Sequence, residues 1–162
     1  MKNKKIITID GPSASGKGLL AKALAKKLNF ILLDSGLLYR AYSYCFDKAQ
    51  SHNEAMELFL QLGIDGVTGA MAVYEKENNI TQLLRHENIA KSASKLSSLK
   101  ETRNNLISFQ RSLASNHGLI ADGRDMGTVV FPDAATKIFL IADVEVRAER
   151  RFLELQNNDQ GV

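Results

Sequence analysis

The run Gly11-Pro12-Ser13-Ala14-Ser15-Gly16-Lys17-Gly18 satisfies the spacing GxxxxGK and stands between an apolar segment and a helical pattern. Phosphate oxygens need several convergent N–H donors. A loop with glycines can wrap backbone amides around them while the start of the following helix adds a favourable dipole, and Lys17 then brings a movable point charge. The hydroxyl residue that usually follows the lysine is replaced by Gly18 and then Leu19, neither of which can offer a hydroxyl to magnesium or phosphate. Asp122 closes a continuous apolar segment just before Gly123, where a carboxylate can hold a magnesium ion through water; Asp10 is a weaker rival for that role. Arg40 and Arg124 both follow strand-like segments and emerge at the carboxyl edge of a sheet, where ligands bind. Guanidinium forks match phosphate oxygens, so two of them beside a phosphate loop suggest a second phosphate.

Arg103 falls within a stripe made by Leu99, Leu106 and Leu113 at helical spacing. It is expected either to snorkel to solvent or to point inward as a donor for a polar ligand. His52, His86 and His117 are scattered among polar residues without ligand spacing and are read as surface; Cys45, beside Tyr44 and Phe46, is read as buried packing.

The elements that must position these groups alternate. Ile6 to Asp10, Phe30 to Leu33, Gly118 to Ala121 and Lys137 to Ile141 read as strands. Helical patterns follow at Leu19 to Leu28, Leu37 to Phe46 and Val144 to Leu155, with Asp34 or Ser35 as the cap of the second. This is the pattern of an α/β fold: a doubly wound parallel sheet with helices on both faces. Residues 51–96 are more polar and broken by Gly63, Gly66 and Gly69. They are expected to form an insertion carrying a small hairpin, with Met71 to Tyr74 and Ile80 to Thr81 flanking Glu75 to Asn79.

At 162 residues with a formal charge of +3, residues 1–162 suit a single domain, and the weak basic excess argues against nucleic acid as a partner. No apolar run approaches the roughly 20 residues that span a bilayer, and the start, MKNKKIITID, lacks a secretory core. The single cysteine permits no internal disulfide. No membrane association and a cytoplasmic location are therefore expected.

The segments IDGPSASGKG, LDSGLLYR and GLIADGRDMGTVVFPDA resemble the bacterial cytidylate kinases, P-loop nucleoside monophosphate kinases acting on CMP and dCMP. The resemblance runs from Lys5 to Leu155 and includes the insertion, which it identifies as the monophosphate-binding subdomain. It implies that Gly11 to Leu19 hold ATP, that Ser35, Arg40 and Arg124 engage the acceptor phosphate, and that Ser94, Arg103 and Asp125 read the cytosine edge. Magnesium with ATP as co-substrate is implied, as is direct in-line transfer of the γ-phosphoryl group with Lys17, Arg40, Arg124 and Asp122 in the catalytic roles. Asp125 would favour a base whose exocyclic amine can donate to it over uracil, whose carbonyl would face a carboxylate.

Two departures accompany it. Leu19 stands where the family pattern has Thr, and the family's arginine-rich lid, last strand and terminal helix have no counterpart up to Val162. Loss of a phosphoryl-clamping arginine can cost about 10³ to 10⁵ in rate, so a catalytically impaired nucleotide-binding remnant is the alternative to an active kinase. A monomer is expected, with association possible through an exposed sheet edge. Arg147 and Arg151 are placed either near the ATP base or on an exposed helical face. A GTPase switch is disfavoured because no Asn-Lys-x-Asp motif occurs.

Overall fold

The computed structural model describes residues 5–66, 69–114 and 117–159; residues 1–4, on which the reading of the amino terminus partly rests, lie outside them. Four parallel strands form the central sheet: β1 (Ile6–Asp10), β2 (Ile31–Asp34), β6 (Leu119–Gly123) and β7 (Thr136–Phe139), in the order β2-β6-β1-β7. A smaller antiparallel sheet joins β3 (Gly63–Asp65), β4 (Ala72–Glu75) and β5 (Asn78–Asn79). The helices are α1 (Lys17–Leu28), α2 (Ser35–Phe46), α3 (His52–Leu60), α4 (Glu87–Ser97), α5 (Lys100–Ser112) and α6 (Val144–Asp159).

Successive strand residues point to opposite faces, and here both faces are covered. Ile9, Leu32 and Ile120 pack with Ala21 and Ala25 of α1. Ile6, Leu33, Leu119 and Ala121 face the larger core with Leu37, Leu38 and Tyr42 of α2, Phe59 of α3 and Leu106 of α5. The doubly wound α/β architecture is thus present, with each strand's carboxyl end delivering its loop to one edge.

Local chemistry sets the helix starts. Asp34 Oδ1 accepts from the Leu37 amide at 3.0 Å and caps α2. In α3, Ser51 Oγ accepts from the Glu54 amide while Glu54 Oε2 accepts from the Gln50 amide, a variant of the reciprocal capping box. Helix α1 begins at Lys17, two residues before the sequence-based boundary, so Lys17 and Gly18 form its first turn.

Several expectations need correction. The insertion contains the helices α3 and α4 and a third strand, β3, besides the hairpin; the hairpin itself pairs Tyr74 with Asn79 across a tighter turn at Lys76, which has φ 56. His52 is not a surface residue: its side chain is only 18% exposed, its Nδ1 is 2.8 Å from the Tyr42 hydroxyl, and its ring lies 4.7 Å from that of Phe46. The α2–α3 packing that buries it was not visible in the polar sequence around it. Leu99 precedes α5 and is 45% exposed, so the stripe containing Arg103 is apolar mainly at Leu106. His86 and His117 are exposed, and Cys45 is buried, its thiol pushed up to about 11 chiefly by that burial. Along the outer edge of the sheet, β7 leaves Phe139 exposed, and Ile141 and Val144 just beyond it are exposed too. Among the described residues no helix is long and apolar enough to cross a membrane.

Candidate functional site

The phosphate loop, residues 11–16, joins β1 to α1. Gly11 has φ 154, and a Cβ there would lie 2.2 Å from the Leu140 carbonyl oxygen, so only glycine fits where the loop passes the end of β7. Ala14 also adopts positive φ, a conformation with a cost that local structure must outweigh. Ser15 Oγ is buried without a partner inside the loop, and Lys17 Nζ reaches only the Pro12 carbonyl, at 3.5 Å. Lys17, with Ser13 of the loop, lines a cavity of about 280 Å³ at the carboxyl edge of the sheet.

Asp10 and Asp122 end adjacent parallel strands, and their environments separate their roles. The Met126 and Gly127 amides donate to Asp10 Oδ1 and Oδ2 at 2.8 Å each, so Asp10 anchors the π-type turn 126–130. Gly127 permits this approach, since a Cβ there would come 2.7 Å from Thr8 Oγ1. Arg111 holds the same turn from outside through the Val129 and Val130 carbonyls. Asp122, by contrast, is 9% exposed, and its Oδ1 has no hydrogen-bond partner. Burial, and secondarily the charge of Asp34, push its carboxyl up to about 7 against the opposing pull of Lys17. Asp122 Oδ2 lies against the first turn of α1, 3.4 Å from where a Gly18 Cβ would stand. An unpartnered carboxylate oxygen beside Lys17 and the loop fits a hard cation that brings its own waters. Among the described residues no cluster of three His, Cys, Asp or Glu could enclose a metal.

Besides Lys17 and Asp122, the cavity is lined by Ser35 and Arg40 of α2, Arg124 and Asp125 after β6, Ser94 of α4 and Arg103 of α5. Ser35 is buried at the start of α2, whereas Ser94 is exposed. Arg40 is half-buried, which lowers its pKa, as do the charges of Arg85 and Arg151, while Asp34 and Glu87 raise it. Arg124 forms no ion pair with any described residue. The Arg103 guanidinium is paired with the Asp125 carboxylate, and Tyr39 stands close enough to feel both charges, although burial is what mainly raises its hydroxyl. The two exits considered for Arg103 are therefore combined: it is 43% exposed by side chain, yet the surface it reaches is the wall of this cavity.

All of the residues named from sequence as acceptor-binding thus line one cavity, together with Lys17 and Asp122. Of the loop and the start of α1 only Ser13 and Lys17 line it, while Gly11, Pro12, Ala14, Ser15, Gly16, Gly18 and Leu19 do not, and Leu19 is 77% exposed. Arg151 pairs with Glu87 of α4 at 2.5 Å and with Glu154 at 3.2 Å. Its helix neighbour Arg150 donates to the Ala14 carbonyl of the phosphate loop at 3.3 Å, while Arg147 bonds the Ala142 carbonyl. Sequence reasoning missed Arg85, which lines the cavity from the turn Leu83–Arg85. Its signal was faint, a lone arginine after two leucines, because the fold that brings it across to β2 depends on the insertion's packing.

A family model described as cytidylate kinase matches residues 7–162. Among curated proteins the chain is similar to cytidylate kinase 2 of Haemophilus influenzae, 45% identical over 158 residues, covering 94% of this chain and 71% of that protein. The cytidylate kinase of Pseudomonas syringae pv. tomato is 44% identical over 162 residues, covering 93% and 69%. That of Mannheimia succiniciproducens is 46% identical over 158 residues, covering 94% and 70%.

Proposed function

The chain belongs to the cytidylate kinase family, and from that premise we propose that it moves the γ-phosphoryl group of ATP to CMP or dCMP, giving CDP or dCDP. The observation that carries this reading is one cavity lined together by Lys17 and Asp122, by Arg40 and Arg124, and by the Arg103–Asp125 pair. A nucleoside monophosphate asks for both kinds of partner: cations for its phosphate, and a donor with an acceptor for its base. The insertion, residues 51–96, is the acceptor-binding subdomain in this reading, since its Ser94 lines the cavity.

Residues 11–19 hold the ATP phosphates, with loop amides donating to them and the start of α1 adding its dipole. Lys17 exchanges its long contact with the Pro12 carbonyl for the migrating phosphoryl group, whose charge it stabilises during transfer. Arg40 and Arg124 hold the acceptor phosphate in line, and because that phosphate is already anionic no general base is needed. Asp122 would hold magnesium through water, and the ion would supply charge neutralisation to the transferring phosphoryl group. Asp125 accepts from the cytosine amine while Arg103 donates to the ring's acceptors, so the ion pair presents one acceptor and one donor to the base. Positioning and charge neutralisation account for the rate, with no covalent enzyme intermediate.

A second reading, nucleotide binding without turnover, is favoured by the outward Leu19, which leaves the first turn of α1 without a hydroxyl for phosphate. Initial-rate ADP release from Mg-ATP, measured with CMP, dCMP, UMP, AMP or no acceptor, separates the two. Release that depends on CMP or dCMP supports the kinase. Binding of ATP and CMP with no acceptor-dependent release supports the second reading.

A further inference from the structure

Arg103 and Asp125 reach the cavity by different means. Asp125 opens the turn 126–130, which is fixed to the sheet where Asp10 accepts from the Met126 and Gly127 amides. Arg103 rides on α5, whose start has no side-chain cap, so its place depends on what braces that helix from the side. At about 100° per residue, the buried Thr102, Leu106 and Gln110 form the inward stripe of α5, with Glu101 and Asn105 flanking it on one side and Arg103 on the other. A force on the Glu101 and Asn105 flank therefore rolls the helix and moves Arg103 relative to Asp125.

That flank meets a chain of polar groups outside the cavity. The Tyr42 hydroxyl of α2, on a fully buried residue, accepts from Asn105 Nδ2 at 3.3 Å and lies 2.8 Å from His52 Nδ1 of α3. His52 Nε2, on the other side of the ring, is 3.7 Å from the Glu101 carboxylate. Histidine is the side chain whose charge ordinarily changes between about pH 5 and 8, and the surroundings provide for both of its states. When the ring is neutral with its proton on Nε2, the Tyr42 hydroxyl donates to Nδ1. When a proton is added from solvent, Nδ1 donates to the Tyr42 oxygen, and the tyrosine proton turns to a second acceptor within reach, the His52 carbonyl at 3.4 Å. Burial raises the pKa of Tyr42, so the hydroxyl keeps its proton throughout. Among the described residues the titratable groups facing His52 are Tyr42 from α2 and Glu101 from α5; Cys45, close to the Tyr42 hydroxyl, stays a thiol. What protonation adds is one charge opposite Glu101.

We propose that His52, Tyr42 and Asn105, with Glu101, form a proton-responsive brace of α5 that positions Arg103 against Asp125 and strengthens discrimination for cytosine as His52 becomes charged. This rests on the reading of Arg103 and Asp125 as the pair that recognises the base, and adds positioning residues behind it. In the neutral state the contact at Glu101, 3.7 Å, is too long for a hydrogen bond, and Asn105 holds that flank. In the cationic state Glu101 is drawn in as well. Two points one helical turn apart then hold the same flank, which limits the roll of α5.

The test measures binding of CMP and of UMP to the full chain by calorimetry at about pH 6 and about pH 8, on either side of the usual histidine range, in wild type, His52→Gln and Glu101→Gln. The two nucleotides carry the same phosphate, so its titration, and that of Asp122, cancels in the ratio of their affinities. In wild type the CMP-to-UMP ratio is expected to be about two- to fivefold larger at the lower pH, the worth of a partly exposed ion pair. His52→Gln keeps a side-chain acceptor for Tyr42 but has no charge to gain, and Glu101→Gln changes a side chain that is 61% exposed. Each should hold the ratio constant within about 1.5-fold, since neither can form the ion pair. A ratio that changes as much in His52→Gln as in wild type would overturn the proposal, as would one that stays constant in wild type while well above one; both leave the base-reading pair standing. A wild-type ratio near one at both pH values would overturn the base-reading role itself, and the proposal with it.

Discussion

Replacing Asp122 by Asn should make the nucleotide-free protein more stable, by an amount that grows with pH. In the folded chain this carboxyl titrates near 7 against an ordinary value of 3.8, chiefly because burial disfavours its charge. A rise of about three pH units, at about 1.36 kcal/mol each, amounts to about 4 kcal/mol once the group is charged in both states. The sign follows from proton counting. Between 3.8 and 7 the native state keeps a proton that the unfolded chain has released, so stability falls as pH rises through this window and is flat above it. Asparagine carries no such charge. The stability difference, Asp122→Asn minus wild type, should therefore widen by about 3 kcal/mol from pH 5 to pH 8, because the slope of about 1.36 kcal/mol per pH unit acts only up to about 7. Other titrating groups act alike in both proteins and cancel. Since the chain has no tryptophan, urea unfolding followed by far-ultraviolet circular dichroism at pH 5, 6, 7 and 8 is the assay. A difference that stays constant or shrinks across that range would refute the assignment of Asp122 as a desolvated carboxylate.

Further outcomes follow from the same geometry. Lys17→Met should lower kcat by roughly 10² to 10³ while the urea midpoint stays near wild type, as expected for a donor that acts on the transferring group; steady-state rates with saturating ATP check this. Asp125→Ala removes the acceptor for the cytosine amine and leaves Arg103 unpaired. It should weaken CMP by roughly 10- to 150-fold, the range for hydrogen bonds to charged groups, and narrow the preference for CMP over UMP, read from kcat/KM for both. Leu19→Thr places a hydroxyl at the first turn of α1 at a position 77% exposed. Stability should change by no more than about 0.5 kcal/mol, while kcat/KM for Mg-ATP should rise up to roughly tenfold, the worth of one net hydrogen bond.

The strands β1, β2 and β6 could be read from sequence because each is a short, largely buried apolar run, and the phosphate loop because glycines and lysine keep a fixed spacing between strand and helix; β7, the exposed edge strand, was legible only from Ile138 and Phe139. Strand order was not legible. The neighbour of β1 on one side is β6, more than a hundred residues away, and no local pattern encodes that. His52 looked like surface because the residues beside it are polar, while the rings that bury it, Tyr42 and Phe46, come from the preceding helix. Asp10 and Asp122 both end strands and look alike in sequence; only the turn 126–130, folding back to donate two amides to Asp10, tells them apart. Arg103 and Asp125 are 22 positions apart, and their pairing arises where α5 lies beside the loop after β6. Within the site, then, residue types were legible where chemistry demands a local motif, and partners were not where two distant elements meet.

The most direct measurement is a single-turnover experiment with ATP carrying a labelled γ-phosphate, excess protein, magnesium and CMP, resolving nucleotides by charge. The proposed function predicts that the label appears in CDP in proportion to ADP formed, and that Lys17→Met suppresses it. Label appearing only as inorganic phosphate, or remaining in ATP while CMP is demonstrably bound, would contradict it.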